Sequence, residues 1–357
     1  MGIRFDSSHR RATNGPIIFF SDASSEAAFA EEVNGAIVSG LSFYSYRSPG
    51  APMVTFGSSE GFVGGLGTPG FVIARFDPSK PFITIPYRGC KTERAVGSEY
   101  EMPRVSTSRE EYVAEVETFK KKLEDYPLGK IVAVRVELRD GSPDPGEIFF
   151  DFCRRFPNAY IFCFSTPATG CWIGASPELL LESHNGRLNT MALAGTRAAG
   201  TLGPWDPKNI LEQKIVADYI LRIFAEQGLR PIAGETYSRQ AGTIEHICTP
   251  ISAPLPSSLQ LETLLKALSP TPALCGQPKE MALREILATE KFDRGCYGGF
   301  CGPYHSTSDF SFNVVLRCAS LTRQSSCLYA GGGITTASDP SAEWTETTTK
   351  LTNILNP

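Results

Sequence analysis

Glu343, Glu346 and Lys350 stand at i, i+3 and i+7 in the stretch that follows Ser338-Asp-Pro340, so on a helix they share one face. Two acids near a helix start suit the macrodipole, and the plain reading is a solvated face with one i,i+4 Glu–Lys pair. Just upstream, Ala330-Gly-Gly-Gly-Ile334 offers backbone N–H groups that could line an anion site. Carboxylates beside an anion site make chemical sense if a divalent cation lies between them, and an oxygen-rich set suits Mg²⁺. Taken alone, the helix acids favour the solvated face; the neighbouring glycine run is what raises the cation reading.

Other candidates have equally plain alternatives. Lys130 begins the strand-like Lys130–Glu137 and reads as a solvated lysine at a strand edge. Glu178 in Ser-Pro-Glu-Leu-Leu reads as an edge-strand carboxylate, and Glu212 as an exposed helical acid. Arg317 follows Val-Val-Leu, and a buried arginine needs an anion, so an internal salt bridge is the expectation.

These residues need a scaffold. The chain has 357 residues, 34 Lys+Arg against 38 Asp+Glu, 41% hydrophobic and 20% charged residues, an ordinary composition for a large core. A net charge of −4 argues against a broad nucleic-acid or anionic-lipid surface. No apolar run approaches the roughly 18–20 residues that span a bilayer, and Met1–Asp6 opens no signal-peptide core. A cytoplasmic protein is expected. The ten cysteines include no Cys-x-x-Cys pair, and several sit in apolar runs, so reduced buried thiols are expected.

Turn-rich connections suggest strands at Gly35–Tyr46, Met53–Phe56 and Phe71–Phe76. Gly65-Leu-Gly67-Thr-Pro-Gly70 matches a dinucleotide fingerprint formally, but a strand follows it where a helix is required. Ser108-x-x-Glu111 predicts a capped helix to about Tyr126, and Asp206-Pro207 starts one to about Glu226. Further helices are expected near Gly146–Arg155, Ser258–Leu268 and Gln277–Glu290, and from Ser338 to near Leu355. Strands are expected near Lys130–Glu137, Tyr160–Phe164, Glu178–Glu182, Leu188–Ala192, Pro231–Tyr237 and Thr243–Thr249. Ser311–Ser320 and Cys327–Ala330 look like central strands. The mixture lacks a βαβ rhythm or a dividing linker, so one large α+β domain over 1–357 is expected.

Leu328-Tyr-Ala-Gly-Gly-Gly-Ile334 followed by Ser341-Ala-Glu-Trp-Thr-Glu-Thr-Thr-Thr-Lys-Leu351 resembles the C-terminal signature of the chorismate-utilising enzymes. Further matches stand in the family's order: Gly174-Ala-Ser-Pro-Glu-Leu-Leu180, Leu193-Ala-Gly-Thr196, Glu245-His-Ile-Cys-Thr-Pro250 and Pro270-Thr-Pro-Ala-Leu-Cys-Gly276. Phe292-Asp-Arg-Gly-Cys-Tyr-Gly-Gly299 and Val315-Leu-Arg-Cys318 complete the series within 106–357, with 1–105 a divergent part of the β core. The resemblance implies large antiparallel sheets flanked by helices, the fold of anthranilate synthase component I.

It also implies roles. Lys130 would be the base that activates water, and Glu178 the acid that protonates the departing 4-hydroxyl. Glu212 and Glu346 would bind Mg²⁺, with Glu343 a ligand directly or through water; Pro207 and Gln213 depart from the motif around Glu212. Arg317 would hold the enolpyruvyl carboxylate, helped by amides near Gly331 and Gly333. Gly195, Thr196, His246 and Lys350 would line the same pocket. Ala273 is the residue type of isochorismate-forming members, whereas Tyr297 and Leu316 resemble salicylate-forming ones. The implied activity is an isomerase converting chorismate to isochorismate, for menaquinone or siderophore synthesis, with salicylate synthase the alternative. A monomer needing no glutaminase subunit is expected.

Overall fold

The computed structural model describes residues 17–19, 23–87, 100–141, 144–241 and 244–355. Met1–Asp6, Cys90 and Thr243 lie outside the described residues. The chain begins β1 (Ile17–Phe19), α1 (Ala23–Val38), β2 (Ser42–Arg47), β3 (Met53–Ser59), β4 (Val63–Gly64), β5 (Gly70–Ala74) and β6 (Ile83–Pro86). It continues α2 (Arg109–Lys122), β7 (Lys130–Asp140), α3 (Pro145–Arg155), β8 (Tyr160–Thr166), β9 (Gly170–Ser176), β10 (Leu179–His184), β11 (Arg187–Ala198) and α4 (Pro207–Glu226). Then come β12 (Ile232–Ala233), β13 (Tyr237–Ala241), β14 (Ile244–Pro254), α5 (Leu261–Leu268), β15 (Gly276–Gln277) and α6 (Lys279–Thr289). The last elements are β16 (Phe300–Ser306), β17 (Asp309–Val314), β18 (Cys318–Leu321), β19 (Ser325–Ile334) and α7 (Pro340–Leu355).

The strands form two antiparallel sheets. One runs β1-β3-β2-β8-β9-β18-β19-β7-β15, and the other β12-β14-β11-β10-β17-β16-β5-β6-β4 with β13 beside β14. Their facing sides build the main core. Val132, Val134, Phe162 and Tyr329 from the first sheet meet Phe71, Leu181, Phe300 and Phe312 from the second. The alternate residues of β7, Ile131 and Ala133, turn the other way and pack with Tyr112, Val116 and Phe119 of α2. Helices α1 and α3 cover the same outer side farther along, through Phe29, Phe149 and Phe152.

Local signals place several elements well. Ser108 and Glu111 form the expected reciprocal cap on α2, and Asp206 caps α4 ahead of Pro207. The glycine-rich Gly65–Gly70 stretch leads into β5, a strand. Two apolar runs are divided where one strand was expected. Gly35–Val38 closes α1, whose buried Phe29, Val33 and Ala36 follow helical spacing; only from Ser42 does the run become β2. Ser311–Ser320 is split: β17 ends at Val314 in one sheet, and β18 starts at Cys318 in the other. Pro231–Tyr237 is likewise no single strand, because β12 and β13 pair separately with β14. A strand not foreseen, β9, pairs with β8 and β18.

Candidate active site

Two chain crossings between the sheets lie side by side and carry the central groups. After β9 the chain passes through Ser176-Pro-Glu178 into β10, and after β17 through Val315-Leu-Arg317 into β18. Backbone bonds tie the crossings together: Val314 N donates to Glu178 O at 3.0 Å, and Ala175 N donates to Arg317 O at 3.1 Å. Arg317 adopts φ +47°, an uncommon left-handed conformation for a side-chain-bearing residue, and so turns out of the strand direction. It is not a mid-strand arginine.

Arg317 also lacks the internal salt bridge expected for it. Among the described residues no carboxylate pairs with its guanidinium; Nη2 lies 3.4 Å from His246 Nε2. His246 Nδ1 lies 2.8 Å from Gly195 O and 3.2 Å from Thr196 Oγ1. Donation from Nδ1–H to the Gly195 carbonyl leaves Nε2 free to accept from Arg317, which assigns the tautomer. Burial, reinforced by Arg317, Lys350 and Arg239, holds the His246 pKa below its usual value and the ring neutral. Asn209, for which the sequence offered no motif, locks the other side of this turn: Thr196 N donates to its Oδ1 at 3.1 Å. Gly195 sits at φ +70° against the Asn209 side chain.

Glu178 is 6% exposed. Burial pushes its carboxyl up to about 7, against smaller opposing effects of the Thr271 hydroxyl and the Lys130 charge. A carboxyl so placed can still carry its proton near neutrality, which is what general acid catalysis needs. Lys130, at the start of β7, is no solvated edge lysine. Its Nζ donates to Glu212 Oε1 at 2.8 Å, and a Cβ on Gly333 would collide with its methylenes.

At the same, C-terminal end of β19, Lys350 Nζ donates to Gly331 O at 2.9 Å and pairs with Glu346 Oε1 at 2.8 Å. Tyr297 is buried, stacks on Tyr329 at 5.6 Å and rests its hydroxyl on the Gly331 backbone. Ala273 and Leu316 are partly buried hydrophobics packed on the main core.

The three expected metal-binding acids are not gathered into one group. Glu212 faces Lys130 and Glu346 faces Lys350. Glu343 Oε1 accepts from Ser338 Oγ at 3.0 Å, and Oε2 lies where a Cβ on Gly332 would come within 2.8 Å. Because successive strand residues point to opposite sides, Gly332 places Glu343 on the helix-covered side of β19, away from the Gly333–Lys130 side. Among the described residues no three His, Cys, Asp or Glu side chains are grouped closely enough to hold a metal ion. The donor type suits a hard cation, since all three groups are carboxylates, two on α7 and one on α4. The departure at Gln213 has a local role, since its buried Nε2 donates to Thr249 Oγ1 at 2.6 Å. The side chain of Lys208 lies outside the described residues.

Arg294 was not singled out by sequence reasoning, although it lies in the quoted Phe292–Gly299 motif. Only 2% exposed, it pairs with Glu290 and donates to Val132 O at 2.7 Å and Leu274 O at 2.8 Å. It thereby joins the strand of Lys130 to the segment carrying Ala273.

Comparison with known proteins places this geometry among relatives. A family model described as chorismate binding enzyme matches residues 90–357. The isochorismate synthase EntC of Escherichia coli K12 is 32% identical over 228 residues, 61% of this chain and 58% of that protein. The isochorismate synthase DhbC of Bacillus subtilis 168 is 32% identical over 289 residues, 74% of this chain and 71% of its own. The matched part thus spans less than two thirds of EntC. In structure, the chain resembles MenF, the menaquinone-specific isochorismate synthase from Escherichia coli, with a TM-score of 0.75 at 22% identity, covering 88% of this chain and 87% of MenF. Anthranilate synthase component I from Streptococcus pneumoniae gives 0.65 at 18% identity, covering 99% and 83%. These two likenesses show the fold alone. Among the described residues no helix is long and apolar enough to cross a membrane.

Proposed function

Because the chain belongs to the chorismate-binding enzyme family, we propose that it is an isochorismate synthase, converting chorismate to isochorismate with Mg²⁺. The observation that carries this reading is Arg317, a guanidinium turned out of the strand direction beside a neutral histidine, with no carboxylate among the described residues to neutralise it. It would take the enolpyruvyl carboxylate bidentately, next to the backbone of Gly331 and Gly333. Gly195 and Thr196, fixed by Asn209 and His246, would bound the region of the ring carboxylate and hydroxyl.

In this reading Lys130 accepts a proton from the water that adds at C2, and Glu178 gives its proton to the hydroxyl leaving C4, while the double bond shifts between them. The departing oxygen leaves as water, so the net change is the position of one hydroxyl. Glu212 and Glu346 would hold Mg²⁺, and the ion would withdraw charge from the ring through the C1 carboxylate; Glu343 stands on the other side of β19. For Lys130 to act as a base its ion pair with Glu212 must open and its ammonium must first lose a proton to solvent, leaving the neutral amine that takes the proton from water.

Tyr297 bears on the alternative, a salicylate synthase. Its hydroxyl lies close against Gly331, where a Cβ would come within 3.1 Å of it, which supports a shape-filling role over one that orders water. A methyl-scale pocket change alters selectivity by only roughly 1–3 kcal/mol, so salicylate would be a minor product. The test is incubation with chorismate and Mg²⁺, with and without ammonium, and chromatography of the products. Isochorismate should dominate in both. Salicylate and pyruvate appearing as fast as chorismate disappears would overturn the assignment.

A further inference from the structure

Beside Glu178 lies a small recess, walled largely by Leu180, Met191, Val216 and Ile220. Three other polar side chains reach it, and two are already engaged. Thr190 Oγ1 donates to Leu180 O at 2.6 Å, and Tyr219 donates its hydroxyl to Ala267 O at 2.5 Å. The third is Thr271, only 8% exposed. Its Oγ1 is buried with no hydrogen-bond partner among the described residues, and it lines the same recess as the Glu178 carboxyl. The segment holding it is fixed, because Leu274 N and Cys275 N both donate to Thr271 O, at 3.0 and 2.8 Å. Lys130 at the start of β7 is the charged group facing Glu178, and Tyr219 of α4 the titratable one across the recess.

A buried O–H without an acceptor is costly, and the carboxyl is the acceptor that this recess leaves for Thr271. If the acid donated to Thr271 instead, the threonine proton would have nowhere to go. We propose that Thr271 is a positioning residue: its hydroxyl donates to one oxygen of the Glu178 carboxyl and leaves the transferable proton on the other oxygen, facing the substrate. The proposal rests on the isochorismate synthase reading for its role in turnover, while the contact itself is independent of that reading.

Thr271→Val keeps the shape and removes the donor, Thr271→Ala is a second donorless variant, and Thr271→Ser restores the hydroxyl. The Glu178 carboxyl is titrated by ¹³C NMR in the ligand-free protein, its signal assigned by loss in Glu178→Gln. Loss of the donor should raise the Glu178 midpoint by roughly 0.5–1 pH unit, with serine returning it to the wild-type value. Turnover of chorismate should fall about tenfold in kcat, with KM little changed, because the proton is misplaced while binding is untouched. An unshifted midpoint in whichever donorless variant folds overturns the proposal. A shifted midpoint in a protein whose wild type leaves chorismate unchanged would sink the isochorismate synthase reading and leave the contact standing.

Discussion

Lys130 Nζ lies 2.8 Å from Glu212 Oε1, across 82 residues of sequence, so the residue proposed to take a proton from water is ion-paired to a residue proposed to hold a cation. The pair joins the first residue of β7 to the second turn of α4. Both side chains keep some exposure, at 18% and 36%, so the contact is no sealed core pair. Its importance is positional: it holds the lysine on the Gly333 side of the sheet, which a glycine leaves open for it.

Lys130→Met keeps the apolar stem and removes the ammonium. Isochorismate formation should fall by roughly 10²–10⁴, the usual effect of losing a positioned base. Stability should change by no more than about 1 kcal/mol, as for other partly exposed pairs. Product assays and urea titration read the two effects separately, and turnover near wild type would remove Lys130 from the chemistry.

Glu178 links activity to pH. The folded protein keeps its proton up to about pH 7, whereas the unfolded chain releases it near the ordinary 4.5. The folded state therefore binds more protons between these values, and the stability due to the neutral acid is lost as pH rises through 7. Glu178→Gln stays neutral throughout. Its melting temperature relative to wild type should rise on moving from about pH 5 to about pH 8, while activity falls by roughly 10²–10⁴. Wild-type kcat should decline above neutrality, and a profile flat through this range would dismiss Glu178 as the acid.

Glu346 and Glu343 should part company. Among the described residues Glu346 pairs with Lys350 alone and at the surface, so Glu346→Gln should raise the Mg²⁺ needed for half activity by about tenfold or more with little effect on melting. Glu343 accepts from Ser338 Oγ at the start of α7. Glu343→Gln should cost about 0.5–1.5 kcal/mol of stability and shift the Mg²⁺ requirement less. Equal, small Mg²⁺ shifts would return both acids to the role of a solvated helix face.

Arg294 is a structural joint. Arg294→Met would leave Glu290 buried without its partner and two carbonyls, of Val132 and Leu274, without a donor. A loss of roughly 3–5 kcal/mol is expected, as when one member of a buried pair is removed. Arg294→Lys should recover little, since an ammonium does not reproduce the planar fork that spans these acceptors. Chemical denaturation of the two variants measures this.

Chemistry settled within a turn or two was legible in the sequence. The Ser108 capping box, the Asp206-Pro207 helix start and the glycine run before α7 depend on neighbours a few residues away, and the ordered motifs mark the family. What was not legible depends on partners distant in the chain. The run Ser311–Ser320 is apolar throughout, and nothing in it shows that the chain changes sheets at Val315–Arg317; that follows from Val314 bonding Glu178 and Arg317 bonding Ala175. The same crossing decides that Arg317 meets His246 and, among the described residues, no carboxylate, against the salt bridge its residue type suggested. Gly35–Val38 looked extended because its helical partners, Phe29 and Val33, precede it among polar and small residues. Glu212, Glu343 and Glu346 were recognisable as acids, but their present neighbours, Lys130, Ser338 and Lys350, are set by how α4 and α7 pack on the sheets. Side-chain type and local spacing are properties of a short segment; burial, ion pairing and the side of a sheet a residue faces arise only when segments far apart share one core.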